Sequence, residues 1–145
     1  MRISTKGQYA LQMMLDLAIN DTGEYITIKS IAQRQSLSEK YLEQIINMLS
    51  RAGFVKSIRG AKGGYRLCGQ TKDITVGNIL RTIEGSLAPV DRLDSGEAAD
   101  TLEEECLLTA VWSKMNDAIN NVVDHVTLDD LVKLYQGNVG YDYVI

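Results

Sequence analysis

Arg59, Lys62 and Arg66 lie in a segment whose apolar and polar residues alternate around Gly60, Gly63 and Gly64. Cationic side chains at this spacing can neutralise phosphates, and glycines give a tight hairpin tip its backbone freedom. The stretch from Phe54 to Leu67 is therefore predicted as a β-hairpin with its cations converging at the tip. Two readings compete: a solvated turn, or a wing that reaches into a DNA groove.

The residues before the hairpin decide between them. Thr5 to Asn20 carries Tyr9, Ala10, Met13, Met14, Leu17 and Ala18 at helical spacing, with Ser4 or Thr5 available as N-cap. Asp21-Thr22-Gly23 ends that helix, and a short one follows over Ile28 to Arg34. After a turn through Gln35, Ser36 and Leu37, a third helix runs from Ser38 to Arg51. Its apolar stripe is Tyr41, Leu42, Ile45, Met48 and Leu49, which leaves Glu39, Lys40, Glu43, Gln44 and Asn47 outward. Short helix, turn and longer helix make a helix-turn-helix unit, and a basic hairpin directly behind it favours the wing.

A fourth helix is expected over Ile74 to Glu84, capped by Thr75 and ended by Gly85, and Asp91 to Glu105 reads as an acidic loop. From Cys106 to Val126 a long helix carries Leu108, Val111, Met115, Ala118 or Ile119, Val122 and Val126 at spacings of three and four, a stripe that suits intramolecular packing or a helical dimer. Thr127-Leu128-Asp129-Asp130 caps a last helix to Tyr135. The expected fold is mainly α with a small β-hairpin wing: a winged helix-turn-helix domain over 1–84, an acidic loop over 85–105, a dimerisation helix with a short following helix over 106–135, and a tail over 136–145.

The formal charge of −4 averages two unlike halves. Met1 to Arg66 holds ten Lys/Arg against five Asp/Glu, and Leu67 to Ile145 five against fourteen, so the cations collect where the helix and hairpin lie. With no run of about 18 apolar residues and no signal-peptide pattern at the start, a cytoplasmic protein without a membrane partner is expected. Cys68 and Cys106 provide neither a disulfide framework nor a zinc quartet. His125 is the only histidine and has no nucleophile at a recognisable spacing, so an enzyme is not expected.

Met1-Arg2-Ile3-Ser4-Thr5-Lys6-Gly7-Gln8-Tyr9-Ala10, Tyr41-Leu42-Glu43-Gln44 and Ile58-Arg59-Gly60-Ala61-Lys62-Gly63-Gly64-Tyr65 strongly resemble the IscR/CymR family of dimeric winged helix regulators, also called the Rrf-two family. The resemblance implies a bacterial regulator whose homodimer binds a palindromic operator in double-stranded DNA. It implies phosphate contacts from Arg2, Thr5 and Lys6. Ser38, Lys40, Tyr41 and Gln44 would face the major groove, with Gln44 reading a base edge and Glu43 either accepting from cytosine or repelling phosphates. Arg59 and Lys62 would enter the minor groove, while Gly60, Gly63 and Gly64 let the backbone approach closely.

Many family members hold an iron-sulfur cluster on three cysteines before the long helix. Only Cys106 matches here, the two earlier positions being Asp100 and Asp94, and Thr109 stands where a histidine ligand sometimes occurs. Clusters favour thiolate ligation, so no cofactor is expected and Cys106 is the sole candidate ligand, read instead as a partly buried thiol at a helix start. Without the ligands, the chain is similar to the cysteine-metabolism branch, a repressor whose partner is cysteine synthase. There the terminal Tyr143, Val144 and Ile145 would enter the enzyme, unless the tail packs on its own dimer. The alternatives are a cluster-sensing regulator with a non-standard ligand set and a protein-interaction module working through the tail.

Overall fold

A computed structural model describes residues 2–91, 93 and 103–137. Asp94, Asp100 and the tail residues Tyr143, Val144 and Ile145 lie outside the described residues.

Four helices and a hairpin form the first part: α1 (Thr5–Ile19), α2 (Ile28–Gln35), α3 (Glu39–Arg51), β1 (Val55–Ile58), β2 (Gly64–Leu67) and, after a 3-10 turn at Thr71–Asp73, α4 (Val76–Glu84). Hydroxyl caps open all four: Ser4, Thr27, Ser38 and Thr75 each accept from the backbone N–H three residues on. α2 ends at Ser36 in the left-handed conformation, φ 55°, which turns the chain sharply into α3.

Met13, Met14, Leu17, Ile31, Leu42, Ile45, Ile46, Leu49 and Ile79 fill one core. Each such buried side chain contributes about 1.5–3 kcal/mol, so the helix-turn-helix is held chiefly by the inner stripes of α1 and α3. Ile46 lies within that core, beyond the predicted stripe, whereas Tyr41 and Met48 are only half-buried.

β1 and β2 pair antiparallel with Val55 opposite Leu67 and Ile58 opposite Gly64. The hairpin does not stand alone. Ile26 exchanges two backbone hydrogen bonds with Tyr65, at 2.9 and 2.7 Å, tying the wing to the segment that enters α2. Gly64 sits at that tie with φ +152°, and a Cβ there would lie 2.4 Å from the Ile26 carbonyl oxygen.

The long helix, α5 (Glu103–Val123), starts and ends three residues before the expected bounds, because its first turn takes in the acidic residues preceding Cys106. The chain then bridges Thr127 to Thr75 and enters α6 (Leu128–Gly137), whose Leu128 is fully buried in the core beneath α1. Thr127 and Asp130 cap this start reciprocally at 2.9 and 3.1 Å. Hydrogen bonds from the Thr127 backbone and hydroxyl hold the Asp130 carboxyl below its ordinary range.

Candidate nucleic-acid interface

α3 divides cleanly into two faces. Leu42, Ile45, Ile46 and Leu49 have no exposed surface, while Lys40, Glu43, Gln44 and Asn47, at the complementary helical positions, are exposed. None of these four outward side chains makes a hydrogen bond or ion pair among the described residues. Ser38 uses its oxygen to cap the helix, accepting from Tyr41 N–H at 3.1 Å, which leaves its hydroxyl hydrogen to donate. The Tyr41 ring is committed to packing: it meets Tyr9 edge-on, with ring centroids 5.6 Å apart.

That contact also locates the start of α1. Tyr9 lies one turn beyond Thr5, so the first turn of α1, with the exposed Thr5 and the half-buried Lys6, lies near the first turn of α3, and Arg2 precedes it as an exposed residue. Their segment is anchored from the far side. The Glu84 carboxylate, closing α4, accepts from Ser4 N–H at 2.9 Å and from the Ser4 hydroxyl. A Cβ on Gly7 would meet the same carboxylate, so a larger residue there would displace Glu84 from Ser4.

At the wing tip Arg59, Gly60, Ala61 and Lys62 are exposed, and Arg59 and Lys62 have no partner among the described residues. Arg66 departs from the expectation of three converging cations. It lies within β2, its guanidinium 3.4 Å from Asp21 and 5.8 Å from the centre of the Tyr25 ring, because strand alternation turns it back toward the α1–α2 connection. The glycines also divide their roles. Gly60, at φ +114°, has open space around it, but a Cβ on Gly63 would lie 2.7 Å from the Ile58 carbonyl oxygen, so close approach within the protein already explains Gly63 and Gly64.

A buried acid, which the sequence pattern does not single out, fixes α2 against α1. Asp16, 3% exposed on the core side of α1, accepts from Arg34 Nε at 2.9 Å, Arg34 Nη2 at 2.7 Å and Gln35 Nε2 at 2.9 Å. The hydrogen bonds that Arg34 donates to Asp16, together with the charge of that carboxylate, push the Arg34 pKa up. Since α2 sets the angle of α3, this cluster is a positioning device for the outer face.

α5 presents the opposite surface. None of its residues is buried, and Leu107, Leu108, Val111, Met115 and Val122 are 44–69% exposed. Its C-terminal end is fastened to α4 by Arg81, which donates to Asn120 at 2.8 Å and Asp124 at 3.2 Å. Cys106, expected to be partly buried, is exposed, because its helix packs lightly on the rest of the chain. Cys68 ends the wing strand, its N–H donating to the Phe54 carbonyl at 2.9 Å. His125 is exposed, with Nδ1 2.7 Å from the Asn121 carbonyl oxygen.

A recognition helix, a pinned turn and a hairpin make a winged helix-turn-helix unit with an unpartnered polar face. Residues 3–134 match the Rrf2 family, described as iron-dependent transcriptional regulators, and the chain belongs to that family. The HTH-type transcriptional regulator CymR of Bacillus subtilis is 43% identical over 137 residues, covering 94% of each chain. IscR of Vibrio atlanticus is 34% identical over 92% of this chain and 76% of its own. The solved structure of CymR, the global cysteine regulator of B. subtilis, matches with a TM-score of 0.79 and 41% identity over 92% of this chain and 97% of that one. The protein is thus a transcriptional regulator of the same kind as CymR and IscR and not an enzyme.

The iron in the family's description can be tested against the donors present. The chain has two cysteines, one at the end of the wing and one at the start of α5, and the described residues contain no group of three or more His, Cys, Asp or Glu able to hold a metal. A thiolate-held cluster does not fit that donor set. The described residues also contain no helix long and apolar enough to cross a membrane.

Proposed function

We propose that the protein is a homodimeric repressor of cysteine or sulfur metabolism genes that binds a palindromic operator. The observation that carries this reading is the unpartnered polar face of α3 beside two unpartnered cations on a hairpin tied to the same domain. Ser38, Lys40, Glu43 and Gln44 enter the major groove, with Gln44 and Glu43 reading bases. Arg59 and Lys62 enter the adjacent minor groove beside Gly60, and Arg2, Thr5 and Lys6 hold phosphates. The apolar stripe of α5 is covered by the same helix of a second copy, which sets two readers on one duplex. In this reading 1–84 is the DNA-reading unit, 85–105 its acidic connector, 106–135 the dimerisation unit and 136–145 the tail.

Selection of genomic fragments by the purified protein tests the whole reading. Enrichment of palindromic sites upstream of sulfur-assimilation genes is expected, and no enrichment over bulk DNA would falsify it. Response to the signal passes through a partner or the exposed Cys106 thiol, not through a bound cluster. An anaerobic preparation with a visible charge-transfer band and stoichiometric iron and sulfide would contradict that. For the partner, the apolar side chains of Tyr143, Val144 and Ile145 suit capture by cysteine synthase. Deleting Ile145 should abolish co-elution with that enzyme, and undiminished co-elution would remove the tail from the account.

A further inference from the structure

Between α3 and the wing runs a cleft of about 550 Å³. Asn47 and Ser50 border it from the helix, Ser57 and Arg59 from the hairpin, and Thr27, the N-cap of α2, from its floor. Asn47, Ser50, Ser57 and Arg59 make no side-chain hydrogen bond among the described residues, and no residue known to line the cleft is acidic. Four side-chain donors without a hydrogen-bond partner among the described residues, one of them a permanent cation, border this space. The positive end of the α2 dipole borders the same space. On the other side of the wing the contrast is direct: a cleft of about 480 Å³ is lined by Glu24 and Tyr25 beside Lys62, and its carboxylate disfavours an anion.

Duplex geometry supplies the occupant. A single sugar–phosphate strand forms the ridge between a major groove and the neighbouring minor groove, so a protein with a helix in one and a hairpin tip in the other must straddle it. We propose that this cleft seats a backbone phosphate of that ridge strand, held by Asn47, Ser50, Ser57 and Arg59. The inference rests on the DNA-binding reading above and adds a phosphate-positioning site to it. Three of its ligands are neutral, so they fix register without releasing counterions.

The test uses the full chain, a duplex that the wild-type protein selects from a genomic pool, and a random duplex of equal length. Asn47→Ala with Ser57→Ala should weaken binding to both duplexes about tenfold, from two lost hydrogen bonds, with an unchanged salt slope and an unchanged ratio between them. Ser50→Asp should cost about a hundredfold or more on both. Replacing single phosphates by neutral methylphosphonates should reveal one position per half-site that weakens the wild type and affects the Asn47→Ala/Ser57→Ala variant less than about twofold, the signature of a shared contact. Equal methylphosphonate profiles in the two proteins, with melting temperatures matched, would overturn the phosphate seat while leaving DNA binding intact. A wild-type protein that selects no duplex from the pool and does not bind random DNA would overturn both.

Discussion

α3 and α5 are both amphipathic helices, and the chain uses them in opposite ways. α3 buries Leu42, Ile45, Ile46 and Leu49 and offers polar side chains, while α5 has no buried residue and offers Leu108, Val111 and Met115. A free polar face can exchange water for phosphates and base edges at little cost. A free apolar face is stabilised only by another apolar surface, and its 3-4 spacing matches a copy of itself. In the proposed reading, one helix addresses the nucleic acid and the other a second copy of the chain.

The contrast is broken most severely on α5. Val111→Asp places a charge in the proposed seam of both subunits at a position 48% exposed in the single chain. The expected result is a folded monomer in sedimentation equilibrium with operator affinity down about a hundredfold or more, since two half-sites are no longer read together. A dimer of wild-type strength would remove α5 from the interface.

On the DNA side, Gln44→Ala and Arg59→Ala should differ in kind. The first is expected to lose about 1–3 kcal/mol on the selected site and little on random DNA. The second should weaken both and lower the slope of log affinity against log salt by about one. Identical effects of the two changes would erase the division between base reading and phosphate neutralisation.

Smaller still is the effect on the support beneath α3. Arg34→Ala leaves the buried Asp16 carboxylate with Gln35 as its remaining side-chain donor, and a loss of about 2 kcal/mol, seen as a melting temperature lower by about 5 °C, is expected. An unchanged melting temperature would show that α2 is held by its apolar contacts alone. The least effect concerns pH. The folded carboxyl of Asp130 lies below its unfolded value, so its stabilisation is full above about pH 4 and is lost as pH falls through the folded value. Asp130→Asn should flatten the acid limb of the melting curve, and an acid limb matching wild type would rule out the cap as its source.

Most of the first half was legible because local signals agree there. Ser4, Thr27, Ser38 and Thr75 are good caps in front of clear helical periods, and a glycine-rich tip between alternating strands has few other conformations. What stayed hidden depends on neighbours distant in sequence. Arg66 looked like a tip cation because spacing along the chain cannot tell which side of the hairpin carries Asp21 and Tyr25. Gly63 and Gly64 looked like concessions to a ligand, when the carbonyls of Ile58 and Ile26 crowd them. Asp16 is one acid among apolar residues at a core position, and nothing nearby announces Arg34, eighteen residues on. The seat bordered by Asn47, Ser50 and Ser57 was missed for the same reason: common polar residues acquire a role only once helix and hairpin are set side by side.

The double hydrogen bond between Ile26 and Tyr65 makes the wing and the helix-turn-helix a fixed caliper. Its two jaws cannot be respaced without breaking the tie, so inserting one base pair between the major-groove word and the minor-groove step would put the second out of phase by about 3.4 Å and about 35°. Under the proposed docking, half-sites for this protein should therefore be intolerant of internal length change, whereas any slack in the operator would fall at its centre, between the two proposed subunits.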